Sequence, residues 1–133
     1  MVDAPDLKPG LAGEAHITVT DDLTASALGS GNVNVYSTPA MIALLEAAAI
    51  RALEGQLAEG QTSVGTHLNV QHLAATPVGM SVTARAVLRE VDGRRLVFEV
   101  TAWDAVEKIA EGTHERFIVN RSRFEERVRG KHP

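Results

Sequence analysis

The chain has 133 residues, a formal net charge of −4 at pH 7 and no cysteine, which excludes disulfides, thiolate metal sites and cysteine nucleophiles. The acidic balance and an aromatic content of only 4% argue against nucleic acid or an anionic membrane as a partner. The length fits one domain, residues 1–133, with a leader at 1–11 and a charged tail at 121–133. The acidic start and the lack of a long apolar run predict a cytoplasmic location.

The first predicted elements are a strand and a short helix. Apolar and polar residues alternate over residues 13–20, which is the pattern of a half-buried strand. A short helix is predicted over residues 23–28, with Asp21 or Asp22 as its N-cap and the glycine-rich run 29–32 as its end.

The next predicted helix is the clearest element of the chain. Ser37 or Thr38 supplies an N-cap oxygen, and Pro39 stands in the first turn, where its missing N–H group costs nothing. Residues 40–50 are apolar except for Glu46. A helix that is apolar nearly all round is typical of one that is buried by the rest of the fold.

After this helix the hydrophobic period changes from that of a helix to that of a strand. Asp92-Gly93 is a strong hairpin signal between two of the resulting strands. The pattern predicts an α+β fold, in which an antiparallel five-stranded sheet wraps around one long central helix. One helix covers only part of such a sheet, so a homodimer is expected. The last four strands are predicted at residues 62–72, 81–91, 94–103 and 108–119, joined by short hairpins.

Three side chains are candidates for chemistry. Glu46 interrupts the apolar run. It either lies on a solvent-exposed stripe of the helix, or it is held in a cleft, where its carboxylate acts as a base or orients water. Thr38 is a helix cap, a reactive hydroxyl or both, and it lies about 80° from Glu46 around the helix axis. His72 ends the apolar face of its strand, where it is either a satisfied core histidine or an acid/base group.

The remaining polar strand residues give weaker signals. Strand parity places Gly65 on the face opposite His72. His114, Glu115 and Arg116 follow one another on the last strand, which is typical of a solvated face, although the Arg116 guanidinium suits a phosphate or a carboxylate. No metal is expected, because the sequence has no metal-ligand spacing, and it also lacks a phosphate-binding glycine loop and a GxSxG elbow.

Three strings carry a resemblance to a known family: STPAMIALLE at 37–46, SVGTHLNVQHLAATPVG at 63–79 and GTHER at 112–116. Together they resemble the hotdog-fold acyl-CoA thioesterases of the fluoroacetyl-CoA thioesterase-like family. The resemblance implies a hotdog fold, a homodimer or tetramer, and hydrolysis of an acyl-CoA thioester to a carboxylic acid and coenzyme A. It implies no separate cofactor, because coenzyme A is part of the substrate.

The resemblance also implies residue roles. Thr38, Glu46 and His72 match a catalytic set by residue type. In this set Glu46 acts as nucleophile or orients water, Thr38 positions it and the thioester, and His72 is an acid/base or polarises the carbonyl. Gly65 matches a glycine beside the acyl pocket, and Arg116 matches a basic residue near the phosphates of coenzyme A.

The segment before Thr38 departs from the family pattern. Members that favour fluoroacetyl-CoA carry a phenylalanine-rich lid there, whereas residues 27–34 of this chain contain no aromatic residue. The first aromatic residue after this segment, Tyr36, is a candidate for a substrate contact. A small or medium acyl group other than fluoroacetyl, or a broader range, is therefore predicted.

Two other functions fit the same fold. An acyl-CoA hydratase needs an Asp–His pair to move a proton at the carbon next to a carbonyl, and the expected motif is missing. A non-catalytic dimer that binds acyl-CoA or another small ligand would keep the pocket but would not need both Glu46 and His72.

Overall fold

The computed structural model describes residues 6–133. Within this part of the chain, five antiparallel strands form one sheet in the order β1-β3-β4-β5-β2, and the longest helix packs on it. The predicted α+β architecture is therefore confirmed. The elements are β1 Ala12–Thr18, α1 Ala25–Leu28, α2 Thr38–Ala52, β2 Gln61–His72, β3 Ser81–Asp92, β4 Arg95–Asp104, β5 Lys108–Asn120 and α3 Arg121–Arg129.

The connection between β2 and β3 is a crossover. β2 pairs with β5 at one edge of the sheet, whereas β3 pairs with β1 and β4. The prediction that hairpins join all four later strands is wrong here, because alternation reveals a strand but not its partner. The N–H of Tyr36 donates to the Thr76 carbonyl at 2.9 Å, and the Thr76 hydroxyl donates to Asp104 at 2.8 Å. These bonds hold the segment between β2 and β3 in place, and β2 lies at the outer edge of the sheet, beside β5.

Helix α2 begins at Thr38 because Ser37 supplies its cap. The Ser37 hydroxyl accepts the N–H of Ala40 at 3.2 Å, an interaction that contributes about 1 kcal/mol in typical helices. Pro39 occupies the first turn as predicted. Because Ser37 is the cap, the Thr38 hydroxyl is free for other contacts.

Helix α2 lies close against β1 and β3. A Cβ atom on Gly13 would overlap the backbone of Ala48 and Ala52, so a residue without a side chain is needed where β1 meets the helix. The flank of α2 that carries Glu46 turns towards β2 with few contacts. This open flank is where the site forms. The buried side chains of α2 are those of Met41, Leu44, Leu45, Ala48, Ala49 and Ala52.

Two shorter helices lie outside this core. α1 is capped by Thr24, whose hydroxyl accepts the N–H of Ala27 at 3.3 Å. Asp21 and Asp22 belong instead to a preceding 3₁₀ turn. The prediction that one of them caps α1 is therefore wrong. The charged tail forms α3, which Asn120 caps. No helix among residues 6–133 is long and apolar enough to cross a bilayer.

Candidate active site

The first part of the site is the pair formed by Thr38 and His72. Thr38 opens α2 and His72 closes β2, and Thr38 Oγ1 lies 2.8 Å from His72 Nδ1. Burial lowers the pKa of His72 from its ordinary value of 6.5, and a backbone contact to Ala74 opposes the shift. The imidazole is therefore mainly neutral at pH 7. Its Nε2 atom is buried and makes no hydrogen bond of normal geometry within residues 6–133.

This arrangement prepares His72 for a ligand. A neutral imidazole has one donor and one acceptor nitrogen, and the Thr38 hydroxyl can donate to Nδ1. Nε2 then carries the proton. A buried N–H group that lacks a well-formed hydrogen bond costs free energy, and a carbonyl oxygen or a sulfur anion from a substrate would recover part of that cost.

The second part of the site is a cluster around Glu46. Arg116 Nη1 lies 3.3 Å from Glu46 Oε2, while Arg116 Nε donates to the Ser63 hydroxyl at 2.8 Å and Nη2 donates to the Ser63 carbonyl at 3.1 Å. Arg116 is only 4% exposed, whereas 36% of the Glu46 side chain is exposed. A buried and fixed cation thus holds a carboxylate that still reaches solvent.

His114 completes this cluster as a neutral ring. Its Nδ1 donates to the carbonyl of His67 at 2.9 Å, so Nε2 has a lone pair and accepts from Arg116 Nη1 at 3.1 Å. Burial lowers the pKa of His114, and the charge of Arg116 adds to the shift. Nε2 is 3.9 Å from Glu46 Oε2, but a neutral His114 forms no ion pair with that carboxylate.

Gly65 provides the space that the Glu46 carboxylate occupies. A Cβ atom at this position would lie 2.5 Å from Glu46 Oε2 and 3.3 Å from Arg116 Nη1, so any other residue would displace one of them. The strand register shifts between Gly65 and His67, and this bulge re-aims the side chains that follow it. The parity that places Gly65 opposite His72 is therefore wrong: Gly65 and His72 share the face towards α2.

Two other predictions are corrected by the structure. Arg116 and His114 do not lie on a solvated face, because both side chains are buried next to Glu46. Arg116 therefore has little surface to offer to a coenzyme A phosphate. Tyr36 is also a core residue: its hydroxyl donates to the carbonyl of Ala40 at 3.2 Å, and burial raises its pKa to about 12.

The two parts of the site lie along one helix. Glu46 follows Thr38 by eight positions, which corresponds to about 12 Å along the helix axis and about 80° around it. The structure thus brings Thr38 to His72 and brings Glu46 to Gly65 and Arg116. No group of three or more metal-ligating side chains forms in the described part of the chain.

Ser63 and the His67 carbonyl are the parts of the site that the sequence did not reveal. Both lie in SVGTHLNVQHLAATPVG, and both contact residues of the GTHER string across the β2–β5 pair. The presence of both strings in one sequence is the signal that could have revealed these contacts, because residues of one string form hydrogen bonds with residues of the other.

Comparison with solved structures identifies the class of protein. A hot-dog-like protein from Thermanaerovibrio acidaminovorans superposes with a TM-score of 0.84 and 27% identity over 96% of each chain. The fluoroacetyl-CoA thioesterase FlK superposes with a TM-score of 0.89 and 37% identity, covering 96% of this chain and 98% of that chain. The fold is therefore that of the hotdog thioesterases, which confirms the predicted fold class.

The family assignment follows from the sequence comparisons. The model of the fluoroacetyl-CoA-specific thioesterase family matches residues 19–122. A fluoroacetyl-CoA thioesterase from Streptantibioticus cattleyicolor is 46% identical over 99 residues, which are 74% of this chain and 71% of the relative. The chain belongs to the fluoroacetyl-CoA-specific thioesterase family.

Proposed function

We propose that this acyl-CoA thioesterase uses Glu46, Thr38 and His72 as its reacting groups. The observation that carries the assignment is the state of Glu46. Arg116 holds its Oε2 atom, while its Oε1 atom has no hydrogen bond among residues 6–133. A carboxylate that is held at one oxygen and free at the other is placed to attack the thioester carbonyl or to take a proton from an attacking water.

His72 supplies the complementary donor. Attack on the thioester puts negative charge on the carbonyl oxygen and then on the departing sulfur of coenzyme A. An Nε2–H group stabilises both charges by hydrogen bonding, and the proton that water gives up to Glu46 is the one that the sulfur finally receives. Thr38, bonded to Nδ1 at 2.8 Å, holds the ring and its tautomer. The products are a carboxylic acid and coenzyme A.

Arg116 and Gly65 act through Glu46 in this proposal. The Arg116 guanidinium is fixed by two bonds to Ser63, so it orients the carboxylate without touching the substrate. Gly65 leaves the room that this carboxylate itself occupies, and the acyl pocket is expected next to it. Arg116 is thus assigned as a positioning residue, and the phosphates of coenzyme A are expected to meet other cations. The proposal requires no separate cofactor and no metal.

We further propose a homodimer that forms through the free edge of β2. Unpaired N–H and C=O groups at a sheet edge favour pairing with another strand, and a two-fold axis pairs β2 antiparallel with its copy. Antiparallel pairing directs His72, at the end of β2, towards the half of the partner strand that contains the partner's Gly65. The Thr38–His72 pair of one protomer then faces the partner's Glu46, so one substrate contacts groups of both protomers.

The acyl group is proposed to be small or medium in size, without selectivity for fluoroacetyl. The segment that precedes α2 has no aromatic side chain at residues 27–34, and its apolar side chains Leu28 and Val33 are about half exposed. An open segment of this kind restricts the acyl chain less than an aromatic lid would. We also propose a cytoplasmic location, and fractionation of cells that produce the protein tests it.

A thiol-release assay tests the proposal directly. Acetyl-, fluoroacetyl-, medium-chain and phenylacetyl-CoA are offered to the wild type, to Glu46→Gln and to the surface control Glu54→Gln. Turnover of at least one ester by the wild type and the control, but not by Glu46→Gln, is the expected result. If the folded wild type binds the esters without releasing thiol, the chain is a binding module and the catalytic assignment is wrong.

A further inference from the structure

A concave surface lies on the other side of the sheet from Glu46. Helix α3 packs against β5 there, and together with residues of β2 it borders an open groove of about 800 Å³. Phe117 lies between the inward-facing Arg116 and Ile118 and therefore points outwards into this groove. We call it the α3 groove. Its floor and rim include Val64, Phe117, Phe124, Arg94, Arg123 and Arg127.

The three arginines of the α3 groove have no neutralising partner. Arg94, Arg123 and Arg127 make no ion pair within residues 6–133, whereas Arg85, Arg89, Arg95 and Arg116 each contact a glutamate. Glu59 is the one acidic residue that lines the groove. The surface is therefore cationic in a chain whose net charge is −4, and guanidinium groups are suited to bind phosphate in two-point contacts.

The floor of the α3 groove is apolar and aromatic. Phe117 and Phe124 remain 40% and 38% exposed, although large apolar side chains gain by leaving water. A flat ring that stacks on these side chains would cover them. A second copy of the chain is disfavoured as the occupant, because a two-fold contact would oppose the arginines of one copy to those of the other.

We propose that the α3 groove binds a nucleotide phosphoanion, with phosphates on Arg123, Arg127 and Arg94 and the base on Phe117 and Phe124. Two sources share this chemistry: the nucleotide end of the acyl-CoA substrate and a separate nucleotide. The first source depends on the proposed thioesterase function and answers where the phosphates bind, since Arg116 is buried. The second source does not depend on it.

Calorimetric titration with adenosine 3′,5′-bisphosphate tests the site without turnover. The wild type is compared with the double variant Arg123→Gln/Arg127→Gln, and with Arg129→Gln, which removes a charge from the same helix outside the groove. We expect the double variant to bind about tenfold or more weakly and Arg129→Gln to bind like the wild type, with thermal melts showing that all are folded. No binding by the wild type, or equal binding by the double variant, overturns the proposal.

Two further arms distinguish the source of the ligand. Thiol release is measured with an acyl-CoA and with the matching acyl-pantetheine, which lacks the nucleotide. A KM that rises about tenfold for acyl-CoA only, in the double variant, assigns the groove to the substrate's own nucleotide. An unchanged KM for both thioesters, together with lost bisphosphate binding, assigns it to a separate nucleotide. If inorganic phosphate binds as tightly as the bisphosphate, the base contact is wrong and the proposal fails.

Discussion

The two parts of the site are built in opposite ways. Thr38 and His72 share one hydrogen bond, and they stand at the ends of a helix and a strand. Glu46 is held by Arg116, which is itself fixed by Ser63 and His114. The contrast fits the roles proposed for the two groups: a flexible carboxylate is aimed by its surroundings, whereas one bond fixes the ring of an imidazole and leaves its other nitrogen for the substrate.

The largest effect is expected from Glu46→Gln. Glutamine keeps the shape of the side chain but removes its ability to attack or to take a proton, so kcat should fall about a thousandfold or more. Steady-state thiol release measures the loss, and calorimetry should show that binding of the ester is retained. A residual kcat within tenfold of the wild type would place the chemistry elsewhere.

Mixing two inactive variants shows whether the two parts belong to one protomer. If Glu46 acts with the partner's His72, then each heterodimer of Glu46→Gln and His72→Asn subunits contains one intact site. Co-refolding equal amounts should restore about a quarter of wild-type activity. If both groups came from one chain, neither site of the heterodimer would be intact and no activity would return. Light scattering on the same samples reports dimer or tetramer.

A smaller effect is expected from Arg116→Lys. An ammonium keeps the charge beside Glu46 but cannot make the three-way contact to Glu46 and Ser63. We expect kcat to fall about tenfold to a hundredfold, with little change in KM, and the melting temperature to fall by a few degrees. Arg85→Lys on the surface serves as control. A raised KM with unchanged kcat would instead assign Arg116 to substrate binding.

The pH profile should show the smallest effect and report on His72. Its folded pKa lies below the ordinary 6.5 because burial disfavours the charged ring. Activity should therefore be constant above pH 6.5 and fall below it as the ring gains a proton. The unfolded chain binds that proton more readily, so stability should also decrease as pH falls below 6.5. The pKa of His114 is also lowered by burial, so His114 contributes to the same loss of stability at low pH. A flat rate profile from pH 5 to 9, with chemistry limiting, would argue against His72.

The elements of the fold were predictable, but the pairing of one strand was not. Alternation and the Ser37-Thr38-Pro39 start identified every strand and the long helix, because local periodicity reflects burial. The placement of β2 beside β5 depends on contacts between residues that lie far apart in sequence. No local pattern contains that information.

The same distance in sequence explains what was missed at the site. Thr38, Glu46 and His72 are each unusual in their own segments, so local sequence identifies them as candidates. Arg116 looked like a solvated residue, because its partners Ser63 and Glu46 are 53 and 70 residues away. The bulge after Gly65 reversed the predicted face, since one extra residue inverts strand parity.

The crossover between β2 and β3 has a consequence for how the chain is made. β2 ends at His72, but its partner β5 begins only at Lys108, so a nascent chain holds β2 with both edges unsatisfied while β3 and β4 are being synthesised. Pairing that waits for distant sequence is slow and leaves strands open to aggregation. The proposed dimer needs the same strand. We therefore expect β2 to join the sheet only after β5 has been synthesised. From then on β2 has one free edge, which can pair with a second protomer.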